Sequence, residues 1–285
     1  MADRKAEIRS IIKDTKSLPT LPGIITKLSA LAENNKASVN EMARVVSSDQ
    51  VLSAKVLRLV NSPFYGFSGR VSTISNALIL LGVNVVKSLA MSSSIFEMME
   101  KNFLGLWEHS LGCGVAANII ANRLGLPDIE EISTAALLHD IGKVIIKIKL
   151  SDDYSELLSL IKEKDICMLD AERELLGSDH AEIGELLARS WFLPEKLIEP
   201  IAFHHDVMRS STQFAKTSVV HVADVLVKCS GFGFSGDDYV PRIQPEAWKK
   251  LDLKEALVEE IVAELEDRLV DCRNFSLEIQ SGSEA

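Results

Sequence analysis

Apolar residues recur along most of this chain at three- and four-residue spacing, the period of a helix with one face turned inward. Leu52, Val56, Leu59 and Val60 make one such stripe, with Asp49 as its cap and Asn61-Ser62-Pro63 as its stop. Ahead of it, Ser38 and Glu41 stand in capping-box spacing and predict a short helix over 39–46. Residues 73–100 predict one or two helices, and 103–124 another that ends at Gly125 with Pro127 beyond. Further helices are expected over 129–142, 152–164, 168–176, 179–191, 194–204 and 213–230. A glycine-rich connector, residues 232–238, leads to a last helix over 252–272, and the final ten residues read as frayed. The pattern is all-α.

Composition narrows the class. A chain of 285 residues holds ample core for one large or two small domains. Its four cysteines, Cys113, Cys167, Cys229 and Cys272, are scattered without a C-x-x-C pair, which fits reduced thiols mostly buried as small apolar residues. The N-terminus carries no apolar signal core, and the most apolar stretch, residues 77–90, is interrupted by Asn84 and Lys87 and too short for a bilayer. The expectation is a cytoplasmic protein with no membrane contact. The net charge of −10 argues against a general nucleic-acid surface. It is uneven: residues 1–100 hold 12 Lys+Arg against 8 Asp+Glu, and the acidity lies beyond them. A helix-turn-helix over Ser38–Ser62 is the rival reading. Its recognition helix would offer only Gln50, Lys55 and Arg58 to base edges, and its apolar stripe is broad enough for packing.

The chemistry lies in the histidines. Five of the six fall into one series with two aspartates: His109, His139-Asp140, His180, His204-His205 and Asp224. Imidazole with carboxylate is a ligand set for Mn, Fe, Zn or Ni rather than Ca. Seven such side chains exceed the needs of one ion and suggest two, sharing a carboxylate. His139-Asp140 closes the apolar run 132–138, where an unsatisfied polar pair is costly. Lys143, three residues on, is placed to reach the same pocket and offer a cation to a phosphate. His180 opens a helix capped by Ser178 or Asp179, and His204-His205 follow the apolar run 197–203. His109 and Asp224 lie in apolar helical runs. His221 stands outside the series, one turn before Asp224, where it could orient that carboxylate.

These residues carry a family resemblance. Leu18-Pro19-Thr20-Leu21-Pro22, Ser48–Leu52 with Leu57–Ser62, and Ile74–Gly82 resemble, in order, three segments of the HDOD branch of the HD superfamily, bacterial HD-related output domains. The resemblance runs from about residue 17 to about residue 230. It implies a two-lobed helical bundle: an N-terminal helical lobe over 1–102, an HD-like metal-binding lobe over 103–230, and a loop and helical extension over 231–285. Many HDOD members lack part of the metal set and act as signalling modules through protein partners. Here the set is nearly complete, which is similar to HD-GYP phosphodiesterases. That likeness implies His109, His139, Asp140, His180, His204, His205 and Asp224 as ligands of one or two divalent ions, Fe or Mn ahead of Zn or Ni. It places Lys143 near the phosphate and Asp140 between the ions. Two departures matter: Gly105 stands where some HD-GYP proteins carry a further ligand Glu, and residues 206–213 replace the Gly-Tyr-Pro loop. A regulatory, metal-binding signal-transduction protein with a protein partner is therefore the first expectation. A metal-dependent phosphohydrolase acting on a phosphoester or nucleotide is the alternative, and a DNA-binding regulator the third. The aromatics Phe64, Tyr65 and Phe67 are expected to leave at least one anchor exposed for a partner.

Overall fold

A computed structural model of the chain describes Ser10, residues 39–48, 50–62 and 64–65, and the segment 71–282. Leu18–Pro22, the cap at Asp49 and Phe67 lie outside the described residues. Within them the regular structure is helical, without a strand.

Helices α1 (Val39–Ser47) and α2 (Gln50–Val60) pack on the long α3 (Ile74–Asn102). The stripe Leu52, Val56, Leu59 and Val60 is buried there, while Gln50 and Arg58 stay exposed and Lys55 half-buried on the outer face. Thr73 caps α3 by accepting from the Asn76 N–H at 3.1 Å. Phe64 and Tyr65 are both buried; Phe64 packs on Gly114, and the Tyr65 hydroxyl lies 2.9 Å from the Thr134 hydroxyl. These two aromatics are core residues, and neither serves as an exposed anchor.

Helix α4 (Leu104–Arg123) forms the axis of the bundle. It is buried from Trp107 almost to its end, and α5 (Ile129–Leu138), α11 (Phe214–Ser230) and α13 (Glu255–Gly282) pack around it. Between them run α6 (Ile141–Lys149), α7 (Ser151–Lys164), α8 (Met168–Leu176), α9 (His180–Ser190) and α10 (Glu195–Phe203), with the short α12 (Pro245–Lys250) near the end.

Two helix expectations are corrected. The helix over 129–142 is not continuous: it breaks at His139-Asp140, and α6 begins at Ile141. Adjacent residues on one helix point about 100° apart. The break lets both side chains face one centre. It also lays Gly142 on α9, where a Cβ would collide with the His180 carbonyl oxygen. The β-branched run Val144-Ile145-Ile146 had hidden α6. The last helix starts at Glu255 and continues to Gly282, so most of the tail is not frayed. Its buried stripe of Ile261, Leu265, Leu269 and Cys272 continues to Ser276, which holds the helix to the bundle.

Candidate metal centre

Five places in the fold supply the seven residues of the series. His109 comes from α4, His139 and Asp140 from the α5–α6 junction, His180 from the first position of α9, His204 and His205 from the end of α10, and Asp224 from α11. The structure brings all seven together. Asp140 sits at the centre. Its Oδ2 faces His109 Nε2 at 3.6 Å and His139 Nε2 at 3.4 Å, while its Oδ1 faces His180 Nε2 at 3.2 Å and His204 Nε2 at 3.9 Å. Asp224 Oδ1 completes the first side, 3.1 Å from His109 and 3.7 Å from His139. His205 completes the second, with Nε2 2.8 Å from that of His180. His205 is the one residue of the seven not fully buried.

The second ring nitrogens are anchored from behind. His139 Nδ1 donates to the Ala136 carbonyl at 2.6 Å and His204 Nδ1 to the Ile201 carbonyl at 2.8 Å. His180 Nδ1 lies 2.6 Å from Glu172 Oε2, which also accepts from the His180 N–H at 2.8 Å. A carbonyl can only accept, so each such contact fixes the tautomer and turns Nε2 toward the centre, as in histidine metal sites.

Electrostatics agree with that arrangement. Burial, with the charge of His139, pulls His204 down to about 3. Burial also takes His180 and His205 well below the ordinary imidazole range. These rings are neutral, the form that binds a metal. Burial would raise Asp140 and Asp224, but neighbouring cations hold both well below the carboxylate range: His139 and Lys143 beside Asp140, Lys228 and the histidines beside Asp224. Burial pulls His139 down too, yet the two carboxylates outweigh it and hold the ring up at about 9. Burial pushes Glu172 up to about 8.

Four buried atoms here make no hydrogen bond: His139 Nε2, Asp140 Oδ1, His204 Nε2 and Asp224 Oδ1. An unpaired buried polar atom costs about 1–3 kcal/mol, and four at one centre are what a divalent cation satisfies, His139 giving up its proton on binding. The donor set fits such ions.

Lys143 is buried, with Nζ 2.7 Å from Asp140 Oδ2. It also lines a cavity of about 340 Å³ together with Lys147 and Tyr154. The loop at 232–238 closes one side of the centre. The Phe234 N–H donates to the Gly105 carbonyl at 2.8 Å, and Gly233, at φ 71°, lies on the backbone of His109, where no side chain could fit. The position of the absent Glu is thus covered by this loop.

His221 does not orient Asp224. Its Nδ1 donates to the His204 carbonyl at 2.8 Å, and its Nε2 accepts from the Gln244 N–H at 2.9 Å. It holds the His204-His205 turn instead. Three supports went unnoticed in the sequence. Glu172 orients His180. Gln244 donates to the His205 carbonyl at 2.8 Å and accepts from the Val207 N–H at 3.1 Å. Glu199 accepts from the Ser210 hydroxyl at 2.6 Å, the Thr212 hydroxyl at 2.6 Å and the Gln213 N–H at 2.9 Å, pinning the segment that stands where a Gly-Tyr-Pro loop would be. Cys113, taken for an apolar filler, has its Sγ 3.4 Å from His109 Nε2.

The HDOD domain profile matches residues 18–207. The chain belongs to the HDOD family. An HDOD domain protein from Geobacter sulfurreducens has the same fold over nearly the whole chain: TM-score 0.72 and 29% identity, covering 96% of this chain and 97% of that one. A candidate phosphohydrolase from Shewanella amazonensis SB2B superposes with TM-score 0.66 over 93% of this HDOD chain and 97% of its own, and at 24% identity the likeness is one of fold. An uncharacterised protein of Treponema pallidum (strain Nichols) is 26% identical over 209 residues, 72% of this chain and 41% of that protein. Ribonuclease Y of Thermus thermophilus is 34% identical over 119 residues, 42% of this chain and 16% of the enzyme. The HDOD chain thus spans less than half the length of either relative. No described helix is long and apolar enough to cross a membrane.

Proposed function

We propose that this HDOD protein is a signal-transduction module built around a centre for two divalent transition-metal ions, with Asp140 shared between them. One observation carries the reading: the two oxygens of Asp140 face different histidine sets, His109 and His139 on one side, His180 and His204 on the other. Asp224 and His205 complete the two halves. Elemental analysis of protein grown with Fe, Mn or Zn should find close to two ions per chain in the wild type and none in Asp140→Ala. An unchanged metal content in Asp140→Ala would overturn the reading.

Hydrolysis of a phosphoester is the second reading, favoured by the position of Lys143 between Asp140 and the cavity it shares with Lys147. When bound, paired ions supply Lewis acidity and an activated water to such a substrate. Lys143 would steady phosphate oxygens with its ammonium, and Lys147 and Tyr154 would face the rest of the ligand. His205, the least buried of the seven, stands on the solvent side of its half. A phosphoester panel, nucleotides and cyclic dinucleotides included, tests this. Lys143→Ala should cut turnover and keep its metal. Equal turnover in wild type and Asp140→Ala would assign any hydrolysis to a contaminant.

A further inference from the structure

One donor at the centre belongs to none of the seven. Cys113 lies one helical turn after His109 on α4, so both side chains leave the same face. Its thiol is fully buried. The Sγ, one ring nitrogen each of His109 and His139, and an Asp224 oxygen all lie within 4.8 Å of one another. The thiol is not alone in pointing there, since His139 Nε2 and Asp224 Oδ1 converge on the same space without hydrogen-bond partners.

Three spacings are close to those of a coordination shell, and Asp140 Oδ2, 3.6 Å from His109 Nε2 and 3.4 Å from His139 Nε2, stands beside them as the shared ligand. Ligands at the usual Zn–N and Zn–S distances stand roughly 3.3–3.7 Å apart in a tetrahedral shell, and some stand closer when a fifth ligand joins. The observed edges are 3.4 Å from Cys113 Sγ to His109 Nε2, 3.1 Å from His109 Nε2 to Asp224 Oδ1 and 3.7 Å from His139 Nε2 to Asp224 Oδ1. The other half of the centre, His180, His204, His205 and Asp140 Oδ1, contains no sulfur.

We propose that Cys113 is a metal ligand, and that its sulfur makes the His109 half of the centre a site for a thiophilic ion such as Zn or Co(II), while the His180 half keeps a nitrogen–oxygen set. On ligation the S–H bond breaks, its proton leaves to solvent, and the sulfur lone pair forms the S–metal bond with no change of oxidation state. The two halves therefore differ in softness, and the preference for Fe or Mn holds only for the half without sulfur.

The inference rests on the two-ion reading, and Co(II) separates the two. Full-length metal-free protein is titrated with Co(II) while its absorption spectrum is followed. The wild type should develop a thiolate-to-cobalt charge-transfer band in the near ultraviolet that saturates at one equivalent, and visible ligand-field bands that continue to a second. Cys113→Ser and Cys113→Ala should lose the charge-transfer band, keep the second equivalent, and bind Zn in the first half roughly tenfold or more weakly, the scale set by losing even a supporting contact. X-ray absorption of the unsubstituted Zn-loaded protein should show a sulfur scatterer at about 2.3 Å, which needs no variant to fold. Two equivalents of Co(II) bound without a charge-transfer band, or a Zn shell of nitrogen and oxygen alone, would overturn the role of Cys113 and leave the metal centre standing. No uptake of Co(II) would overturn both.

Discussion

Glu172 shows what a residue behind the centre does. It takes two bonds from His180, one from the backbone and one from the ring. Glu172→Ala would free that ring to rotate and strand a buried N–H. Such a loss weakens metal affinity by about 10–100-fold and costs about 1–3 kcal/mol of stability. Calorimetric titration with Mn, which suits the half without sulfur, should show the loss as weaker binding at the His180 half. The seven histidines and aspartates were legible in the sequence because their residue types are scarce in apolar runs. Glu172, Gln244 and Cys113 were not. A glutamate in a charged helix, a glutamine in a loop and a cysteine among small apolar residues look like many others, and only the folded distances mark them.

At the scale of elements, the order of helices was legible and their breaks were not. Periodicity continues through His139-Asp140, and it carries no sign of the tertiary contact that Gly142 makes with α9 just beyond the break. Gly142→Ala tests that contact. A methyl group driven into the His180 carbonyl oxygen costs about 3 kcal/mol or more. The variant should melt several degrees lower and lose metal from the His180 half. Glu199 ties the end of α10 to the start of α11. Burial pushes its carboxyl up, but the hydroxyls of Ser210 and Thr212 and the N–H groups of Gln213 and Thr212 outweigh this and hold it at about 2. A pKa below the unfolded value of about 4.3 stabilises the fold fully above that pH and less as pH falls from about 4 to 2. Glu199→Gln should therefore melt below the wild type at pH 7, and the gap should narrow as pH falls from about 4 toward 2. A gap that stays constant with pH would show that shape rather than charge holds the segment.

For the whole molecule, the N-terminal helices are joined to the histidine-bearing bundle through buried contacts. Thr134 donates its hydroxyl to the Glu130 carbonyl at 2.6 Å, so Tyr65 is the donor in their bond. Tyr65→Phe should cost about 1 kcal/mol in chemical denaturation without changing metal content. The shared carboxylate of Asp140 has a different reach. On the two-ion reading, the ion that arrives first draws off part of its charge, and the next must settle beside an existing dication. Filling is then antagonistic, the two steps of the isotherm are spread apart, and each ion weakens the other by the same factor. On that reading the chain would pass through a half-loaded form, stable over a range of metal concentration, and would so distinguish scarcity, sufficiency and excess as three states.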